Sequence, residues 1–327
     1  MQRGADLERA VAVLGGGGLV AFPTETVYGL GADATSDAAV GRIFTVKGRP
    51  RAHPLIVHLA DGVRLDDWAI EIPEAARRLA RAAWPGPLTI ILRKAPRIAA
   101  ATTGGSETVG LRVPAHPVAQ ALLRGFGGGI AAPSANRFGA VSPTTADHVA
   151  ADLGDDVDYL LDGGACEVGV ESTIVDLSRG RAVLLRPGGL PREAIEPITG
   201  PLAAADAGAP PAPGTLAGHY APRAEVVAVA PEEVPAAVAG ARAAGARVAV
   251  LAPGAAFAGW PELAGAVHLH RLPDDAAGMA RALYAALRDL DAAGIDVVIA
   301  ALPPAVGLGE AVGDRLRRAA GPRRDPS

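Results

Sequence analysis

The residues best suited to chemistry form two short runs near the start of the chain. The first, residues 22–31 (FPTETVYGLG), places threonines, a glutamate and a tyrosine directly after an apolar stretch. The second, residues 47–55 (KGRPRAHPL), contains Lys47, Arg49 and His53, and His58 lies just beyond it. Clustered cations are suited to binding a polyphosphate, although an isolated basic cluster is more often a solvated turn. Because Lys47 is one of only two lysines among many arginines, a compact ammonium is favoured here.

Further cationic and hydroxyl side chains recur at later predicted strand ends and loops. The complete candidate set is Thr26, Lys47, Arg49, His53, His58, Thr108, Arg112, Ser134, Ser142, Ser172 and Arg186. The sequence has no Ser-His-Asp order, no HExxH motif and no obvious nucleophile or acid/base pair. Such a set is typical of a site that works by positioning and charge neutralisation, as phosphoryl and nucleotidyl transfer do. Some hydroxyls of the loop at 134–145 are also explained as caps of the helix that follows.

The hydrophobic pattern predicts the elements that position these groups. Before residue 197 it predicts helices at 5–14, 37–46, 73–83, 117–123 and 145–151, and strands at 19–22, 55–59, 88–92, 108–113, 130–132, 159–161, 171–176 and 182–185. The segment 102–107 is predicted to be a loop. Gly29 and Gly31 are predicted to allow a turn or a close approach to a ligand.

The later part of the chain changes character. Residues 198–223 are rich in Pro, Gly and Ala and are predicted to be a linker, which carries PGTLAGHYAP at 213–222. After it, predicted strands at 226–229, 247–251, 267–272 and 297–301 alternate with helices at 232–244, 275–292 and 309–320. This alternation indicates a parallel sheet covered by helices. We therefore predict a catalytic domain at 1–197, a second domain at 224–320 and a tail at 321–327.

Composition limits the class of protein. The chain has 327 residues, of which 50% are hydrophobic, so a full core can form. The net charge of −4 argues against broad, charge-driven nucleic-acid binding, though not against a local basic cleft. The single Cys166 excludes an internal disulfide and a cysteine-rich zinc site. With no signal-peptide pattern and no apolar stretch long enough for a membrane span, we expect a cytoplasmic protein that does not interact with membranes.

Six short motifs occur together in a familiar order: PTETVYGLG, KGRPxxxPL, TVGLRVP, PSAN, ESTIVD and LRPG. Their order and context resemble those of the YrdC-type threonylcarbamoyl-AMP synthase family, and HYAP with a following α/β domain resembles its two-domain members. The resemblance implies a twisted YrdC-like α/β sheet with a concave basic cleft and a smaller Rossmann-like C-terminal domain. It also implies synthesis of L-threonylcarbamoyl-AMP and pyrophosphate from L-threonine, bicarbonate and ATP, for modification of the tRNA adenosine beside the anticodon.

The same resemblance implies roles for individual residues. Lys47 would lie by the phosphates and, with Arg49, act in catalysis, while Tyr220 would close over the nucleotide from the linker. Threonine contacts are implied at Thr26, His58, Arg112, Ala132 and Ser172. ATP contacts are implied at Arg49, His53, Thr108, Ser134, Ser142, Arg186 and Tyr220. The family usually has Asn where this chain has His53, so this position departs from the family pattern.

The cofactor and partner expectations follow from the same reaction. The chain shows no carboxylate cluster for a metal, so Mg²⁺ is expected to be held through the ATP phosphates. The product is expected to pass to tRNA-modifying partner proteins, with at most a weak contact to tRNA. Three alternatives stay open: an RNA-binding module without catalysis, a carbamoyltransferase, and a nucleotide-sensing regulator. The single cysteine weighs against the zinc-finger segments that accompany related carbamoyltransferases.

Overall fold

A computed structural model describes residues 1–215, 218–265 and 267–322. Its chain divides into two compact units. The first comprises residues 1–138 and 142–215, and the second comprises residues 139–141 with the described residues after Thr215. From position 323 onward the predicted tail lies outside the described residues. No helix among the described residues is both long and apolar enough to cross a membrane.

The first unit is a mixed sheet with helices. Its described strands are β1 Gln2–Gly4, β2 Val20–Phe22, β3 Gly29–Asp33, β4 Ile56–His58, β5 Ala69–Ile70, β6 Leu88–Lys94, β7 Thr108–Arg112, β8 Ile130–Ala131, β9 Tyr159–Leu161, β10 Thr173–Asp176, β11 Val183–Arg186 and β12 Ala203–Ala204. Its described α-helices are α1 Leu7–Gly15, α2 Asp37–Lys47, α3 Glu74–Ala83, α4 Ala100–Thr103, α5 Pro117–Phe126, α6 Ala146–Leu153 and α7 Arg192–Thr199. The predicted α/β class is confirmed.

The strand order brings distant parts of the sequence together. It runs β1-β9-β2-β3-β8-β4-β7-β6-β10-β11-β12, with β5 paired to β6 outside this path. Strands β4 and β7 are parallel and place His58 directly opposite Arg112. On its other side β4 pairs antiparallel with β8, which places Ile130 opposite His58. Two candidate residues 54 positions apart in the sequence therefore become neighbours in the sheet.

Of the two roles predicted for Gly29 and Gly31, the turn was wrong, and the close approach to a ligand stays a prediction. Both belong to β3, which pairs antiparallel with β2. A Cβ at position 31 would lie 2.7 Å from Ile130 Cγ2 and 2.8 Å from Phe22 Cε1. Glycine is thus needed here because packed side chains of neighbouring strands leave no room, rather than for a turn. The predicted loop at 102–107 was also partly wrong, because α4 extends to Thr103.

The beginning of the predicted linker is structured. Helix α7 continues to Thr199, and β12 then pairs in parallel with β11. Ala203, Ala209 and Ala212 pack against a buried cluster that includes Ile174. Small apolar residues without helical or strand periodicity gave no signal of this packing, because alanine is common throughout the chain.

The second unit contains a four-stranded parallel sheet. Its described elements are β13 Glu225–Val229, α8 Val234–Ala243, β14 Val248–Pro253, β15 His268–Leu272, α9 Ala276–Ala292, β16 Val297–Ala301 and α10 Leu308–Ala319. The strand order is β13-β16-β14-β15, and each neighbouring pair is parallel. The parallel sheet predicted from strand–helix alternation is confirmed.

Candidate active site

Helix α2 delivers the first cationic group. Ser36 caps its N-terminus by accepting a hydrogen bond from the Ala39 amide, and Gly48 ends it in the left-handed conformation (φ 64°). Lys47 is therefore fixed in the last turn. Its Nζ donates to the carbonyl oxygen of Ser134 at 2.6 Å and to that of Asn136. We call Lys47, Arg49, Ser134 and Asn136 the lysine cluster.

The ammonium of Lys47 lies in an unusual environment. The residue is only 3% exposed. Burial, together with the neighbouring Arg49 charge, lowers the pKa of Lys47 well below its ordinary value. An anion arriving beside it would favour the protonated amine and be stabilised in return. The lysine cluster is therefore chemically suited to a phosphate chain.

Arg49 is held by backbone and by an aromatic ring. Its Nη2 donates to the carbonyl oxygen of Pro54 at 2.9 Å. Its guanidinium carbon lies 5.6 Å from the centre of the Phe138 ring. The His53 ring packs against the same phenyl ring with centroids 5.5 Å apart. Phe138 thus contacts two candidate residues of the KGRPRAHPL segment, Arg49 and His53.

A second group of candidates surrounds Arg112, and we call Glu25, His58 and Arg112 the arginine cluster. Arg112 Nη2 lies 2.7 Å from Glu25 Oε1, and both side chains are buried, at 4% and 7% exposure. The contact is an ion pair by distance but lacks hydrogen-bond geometry. Neither carboxylate oxygen of Glu25 makes a hydrogen bond with a described residue, and the same is true of Arg112 Nε and Nη2.

His58 is neutral in this environment. Burial, with a further contribution from the Arg112 charge, lowers its pKa to about 3. Its ring meets the Phe22 ring edge-on with centroids 5.9 Å apart. The buried Nδ1 makes no hydrogen bond with a described residue. A neutral imidazole with a free ring nitrogen can bind a hydroxyl group.

Ser172 and Arg186 meet at the start of β10. Arg186 Nη2 donates to the Ser172 carbonyl oxygen at 2.8 Å. The Ser172 hydroxyl shares a 2.8 Å hydrogen bond with the Thr89 hydroxyl. The Ser142 hydroxyl donates to Glu171 Oε1 at 2.6 Å. These contacts join the PSAN-containing loop, ESTIVD and LRPG, three of the motifs singled out in the sequence.

The three remaining candidates of the first unit contact residues near them in the sequence or on a neighbouring strand. Thr26 is buried, and its hydroxyl lies 2.8 Å from that of Thr24. The amide of Ala132 donates to the Ile56 carbonyl oxygen on β4 at 2.9 Å. Thr108 is half-buried at the start of β7 and shares a 2.9 Å hydrogen bond with Ser106. All three lie in the first unit, where the structure describes no direct contact between Thr108 and the two clusters.

Tyr220 belongs to the second unit. It is buried, with a positive φ of 65° that non-glycine residues seldom adopt. Its ring stacks on Tyr284 of α9 with centroids 5.8 Å apart. The guanidinium carbon of Arg315 lies 5.0 Å from its ring centre. Tightly packed neighbours on two helices therefore hold this linker residue in an uncommon backbone conformation.

Sequence reasoning did not include Glu25, Asn136 or Phe138 among the site residues. Glu25 and Asn136 lie inside motifs that had been quoted, so membership in the motif was an available signal. Phe138 had no such signal, since only the fold brings its ring against Arg49 and His53. Among the described residues there is no group of three or more His, Cys, Asp or Glu side chains placed to hold a metal ion.

Comparisons with known proteins cover nearly the whole chain. A family model described as Telomere recombination, for the Sua5, YciO and YrdC proteins, matches residues 12–188. A second, described as the C-terminal domain of threonylcarbamoyl-AMP synthase, matches residues 190–321. The threonylcarbamoyl-AMP synthase of Pyrococcus abyssi is 44% identical over 94% of this chain and 92% of its own. That of Bacillus subtilis is 42% identical over 97% and 93%.

Solved structures give the same result. A crystal structure of P. abyssi Sua5 complexed with L-threonine superposes with a TM-score of 0.90, at 41% identity, over 98% of this chain and 96% of that one. A P. abyssi Sua5 variant in which a histidine and the following tyrosine are alanine superposes with a TM-score of 0.88, at 39% identity, over 98% and 95%.

Proposed function

The chain belongs to the threonylcarbamoyl-AMP synthase family in its two-domain form, and we propose how its residues carry out that synthesis. The reaction joins L-threonine, bicarbonate and ATP to give L-threonylcarbamoyl-AMP and pyrophosphate. In class it is a nucleotidyl transfer. The product serves the threonylcarbamoyl modification of tRNA, so we expect the enzyme to act in the cytoplasm beside tRNA-modifying proteins.

Threonine is proposed to bind at the arginine cluster. The Arg112 guanidinium receives the threonine carboxylate, because its planar fork matches two carboxylate oxygens. The unpaired Nδ1 of His58 suits the threonine hydroxyl. Thr26, Ala132 and Ser172 complete the proposed set. The observation that carries this proposal is the group of buried Arg112 and His58 atoms that lack hydrogen bonds, together with the threonine complex of the P. abyssi relative.

ATP is proposed to bind at the lysine cluster. Lys47 and Arg49 face the phosphates, and Arg186 adds a third cation. His53, Thr108, Ser134 and Ser142 are the other proposed contacts. The burial of Lys47 supports the assignment, since an ammonium with a lowered pKa gains most from an incoming polyanion. His53 can donate a hydrogen bond to phosphate in place of the family's usual Asn.

The chemistry then requires two bond-forming steps. The threonine amine attacks the bicarbonate carbon with loss of water, and the resulting carbamate carboxylate attacks the α-phosphorus of ATP, which expels pyrophosphate. Charge builds on the phosphate oxygens during the second step. Lys47, Arg49 and Arg186 stabilise that charge by fixed, preorganised positive groups.

Magnesium is proposed to arrive with the nucleotide. Among the described residues no carboxylate cluster fits a divalent ion, so the protein does not supply a dedicated cage. When bound through the phosphates of ATP, Mg²⁺ would withdraw charge from the oxygens of the leaving group. The roles proposed for the residues of this chain do not depend on the magnesium ion.

Tyr220 is proposed to contact ATP and to act as part of a lid. This chain contains a single His-Tyr pair, His219-Tyr220. The P. abyssi variant has alanines in place of a histidine–tyrosine pair, which supports a functional role for such a pair. The uncommon φ of Tyr220 also supports a role beyond that of a spacer, since strained residues concentrate at working sites.

The experiment that tests the function is pyrophosphate release from the purified full-length protein. With ATP, Mg²⁺ and bicarbonate present, we expect release that depends on L-threonine and is much weaker with L-serine, which lacks the threonine methyl group. Mass spectrometry should find threonylcarbamoyl-AMP in the same reactions. Binding of ATP or RNA without release of pyrophosphate would contradict catalysis and favour a binding module.

A further inference from the structure

Glu25 has a buried charge that no described partner satisfies by a hydrogen bond. Its residue is 6% exposed, and both carboxylate oxygens lack hydrogen bonds. Its ion-pair partner is Arg112, whose own Nε and Nη2 also lack them. Buried ionised groups are costly unless paired and hydrogen-bonded. Four such atoms lack hydrogen bonds in these two touching residues. A bound ligand that formed those hydrogen bonds would remove the cost of burying the charges.

The charges of the arginine cluster define what that ligand must be. Arg112 supplies a cation, Glu25 an anion, and His58 a neutral ring nitrogen. A ligand that satisfies all three carries a carboxylate, an ammonium group and a hydroxyl. Hydroxylated α-amino acids have that combination. The proposed function already pairs Arg112 with the threonine carboxylate and His58 with its hydroxyl. No residue has yet been assigned to bind the amino group.

We propose that Glu25 receives the amino group of threonine and takes up the proton that this group must lose. The inference rests on the proposed function and extends it. When the threonine carboxylate pairs with Arg112, the Glu25–Arg112 contact is replaced by two contacts, guanidinium to carboxylate and Glu25 to ammonium. The exchange leaves the net charge of the buried cluster unchanged, because threonine is a zwitterion.

The proton transfer is needed because an ammonium nitrogen has no electron pair with which to attack carbon. Glu25 accepts one proton from the ammonium and becomes a neutral carboxylic acid, and the amine becomes neutral. The amine nitrogen then forms a bond to the bicarbonate carbon, one C–O bond breaks, and the departing hydroxide leaves as water with a second proton from the nitrogen. The product is the carbamate, which keeps the single negative charge that bicarbonate brought.

The structure gives reasons why three titratable groups near Glu25 are unsuited to taking up this proton. His58 has a pKa lowered to about 3 by burial. Burial raises the pKa of the nearby Cys166 thiol to about 12, so it stays protonated. His116 is also close enough to interact electrostatically with Glu25, and burial lowers its pKa. Its ring nitrogen Nδ1 already accepts the Val118 amide as the cap of α5, at 3.2 Å.

Ligand discrimination by calorimetry tests this inference without relying on catalysis. L-threonine and (R)-3-hydroxybutyrate, which is threonine without its amino group, are titrated into full-length wild-type protein and Glu25→Gln. We expect the wild type to prefer threonine by about 10- to 100-fold, as for one charge-assisted contact. In Glu25→Gln the preference should fall to about threefold or less, while affinity for (R)-3-hydroxybutyrate is kept or rises, because no charged glutamate then competes for Arg112.

A matched control changes an exposed glutamate that also pairs with an arginine. Glu74 lies 2.9 Å from Arg81 on the surface of α3, and Glu74→Gln should keep the wild-type preference. If Glu25→Gln does not fold, Glu25→Asp preserves the charge on a shorter side chain. It should bind threonine at least threefold more weakly than wild type while binding (R)-3-hydroxybutyrate equally well.

The outcomes separate this inference from the function on which it rests. A wild type that does not bind threonine overturns both. A wild type that binds threonine, with the preference unchanged in Glu25→Gln, or in Glu25→Asp if that variant is used, overturns only the role of Glu25. Loss of preference with the calorimetric affinity for ATP within about twofold of wild type supports the assignment to the amino group, whereas a parallel loss of ATP affinity overturns it.

Discussion

At the scale of single residues, burial decides how the charged groups of this protein behave. Lys47 and His58 are both buried, and burial lowers the pKa of each. The consequences differ because their partners differ. Lys47 faces carbonyl oxygens and is suited to a polyanion, whereas His58 lies next to Arg112 and stays neutral. Each case leads to its own measurement.

Replacing Lys47 by alanine should lower the rate of threonine-dependent pyrophosphate release by about 100-fold or more, because a preorganised cation is lost from the phosphates. Threonine affinity should stay within about twofold of wild type. The only other lysine provides the control. Lys94 Nζ lies 3.4 Å from the Thr103 hydroxyl, outside both clusters, and Lys94→Ala should keep near-normal rates. Full activity in Lys47→Ala would contradict charge neutralisation by Lys47.

His58 should make the folded protein sensitive to acid. Its folded-state pKa of about 3 lies below the ordinary 6.5, so unfolding takes up a proton in this range. The free energy of unfolding should therefore fall as the pH drops from about 6.5 toward about 3. By pH 4.5 this one residue accounts for a loss of roughly 2–3 kcal/mol.

Urea unfolding at pH 7 and pH 4.5 measures that effect. In His58→Gln, the difference in unfolding free energy between the two pH values should be smaller than in wild type by about that amount. His268→Gln is the control, since His268 is exposed. Equal pH dependence in wild type and His58→Gln would show that His58 titrates normally in the folded state.

At the scale of elements, short turns position the site by close backbone contact. Gly188 of the LRPG motif packs directly on the segment that leads into β10. A Cβ at this position would lie 2.3 Å from the Glu171 carbonyl oxygen and 2.4 Å from the Ser172 carbonyl carbon. The neighbours are backbone atoms, which cannot rotate away. The motif's glycine therefore fixes where Ser172 lies.

Gly188→Ala should lower the unfolding free energy by about 1–3 kcal/mol, as overpacked sites do. It should also weaken threonine binding severalfold through displacement of Ser172. Gly41→Ala is the matched control, because nothing lies within 4 Å of its added Cβ inside α2. That variant should be more stable by up to about 1 kcal/mol. Urea unfolding and threonine calorimetry measure both effects in the two variants. A Gly188→Ala protein with wild-type stability and wild-type threonine affinity would contradict this account.

At the scale of the whole molecule, the proposed site residues fall in both units. The lysine and arginine clusters belong to the first unit, and Tyr220 belongs to the second. Inside the second unit, Tyr220 is packed by Tyr284 and Arg315. If Tyr220 contacts ATP as proposed, residues of the C-terminal helices act on nucleotide affinity by holding its ring in place.

Tyr284→Leu should raise the apparent KM for ATP by up to about tenfold, because the stacked ring that orders Tyr220 is removed. Binary threonine affinity should not change. Leu290→Ala on the same helix removes a buried side chain without removing an aromatic ring, so it controls for general destabilisation of the unit. An ATP KM that is raised equally in both variants would contradict a specific role for Tyr284.

The sequence by itself determined the family, the α/β class, the parallel C-terminal sheet and most helices and strands. These follow from local periodicity and from motifs whose residues are neighbours along the chain. The sequence also indicated which motifs carry chemistry, though the role of each site residue stays a prediction. Gly31 shows the limit of local reasoning, because only the packing of Phe22 and Ile130 reveals why it is a glycine.

Only the tertiary structure decided which groups touch. Nothing local in the sequence indicates that Glu25 lies 2.7 Å from Arg112, or that Phe138 packs on both Arg49 and His53. These contacts depend on strand order and on loops that pack across the sheet, over sequence separations of up to 89 residues. Burial likewise exists only in the fold. The lowered pKa of Lys47 and that of His58 arise when the surrounding chain excludes water.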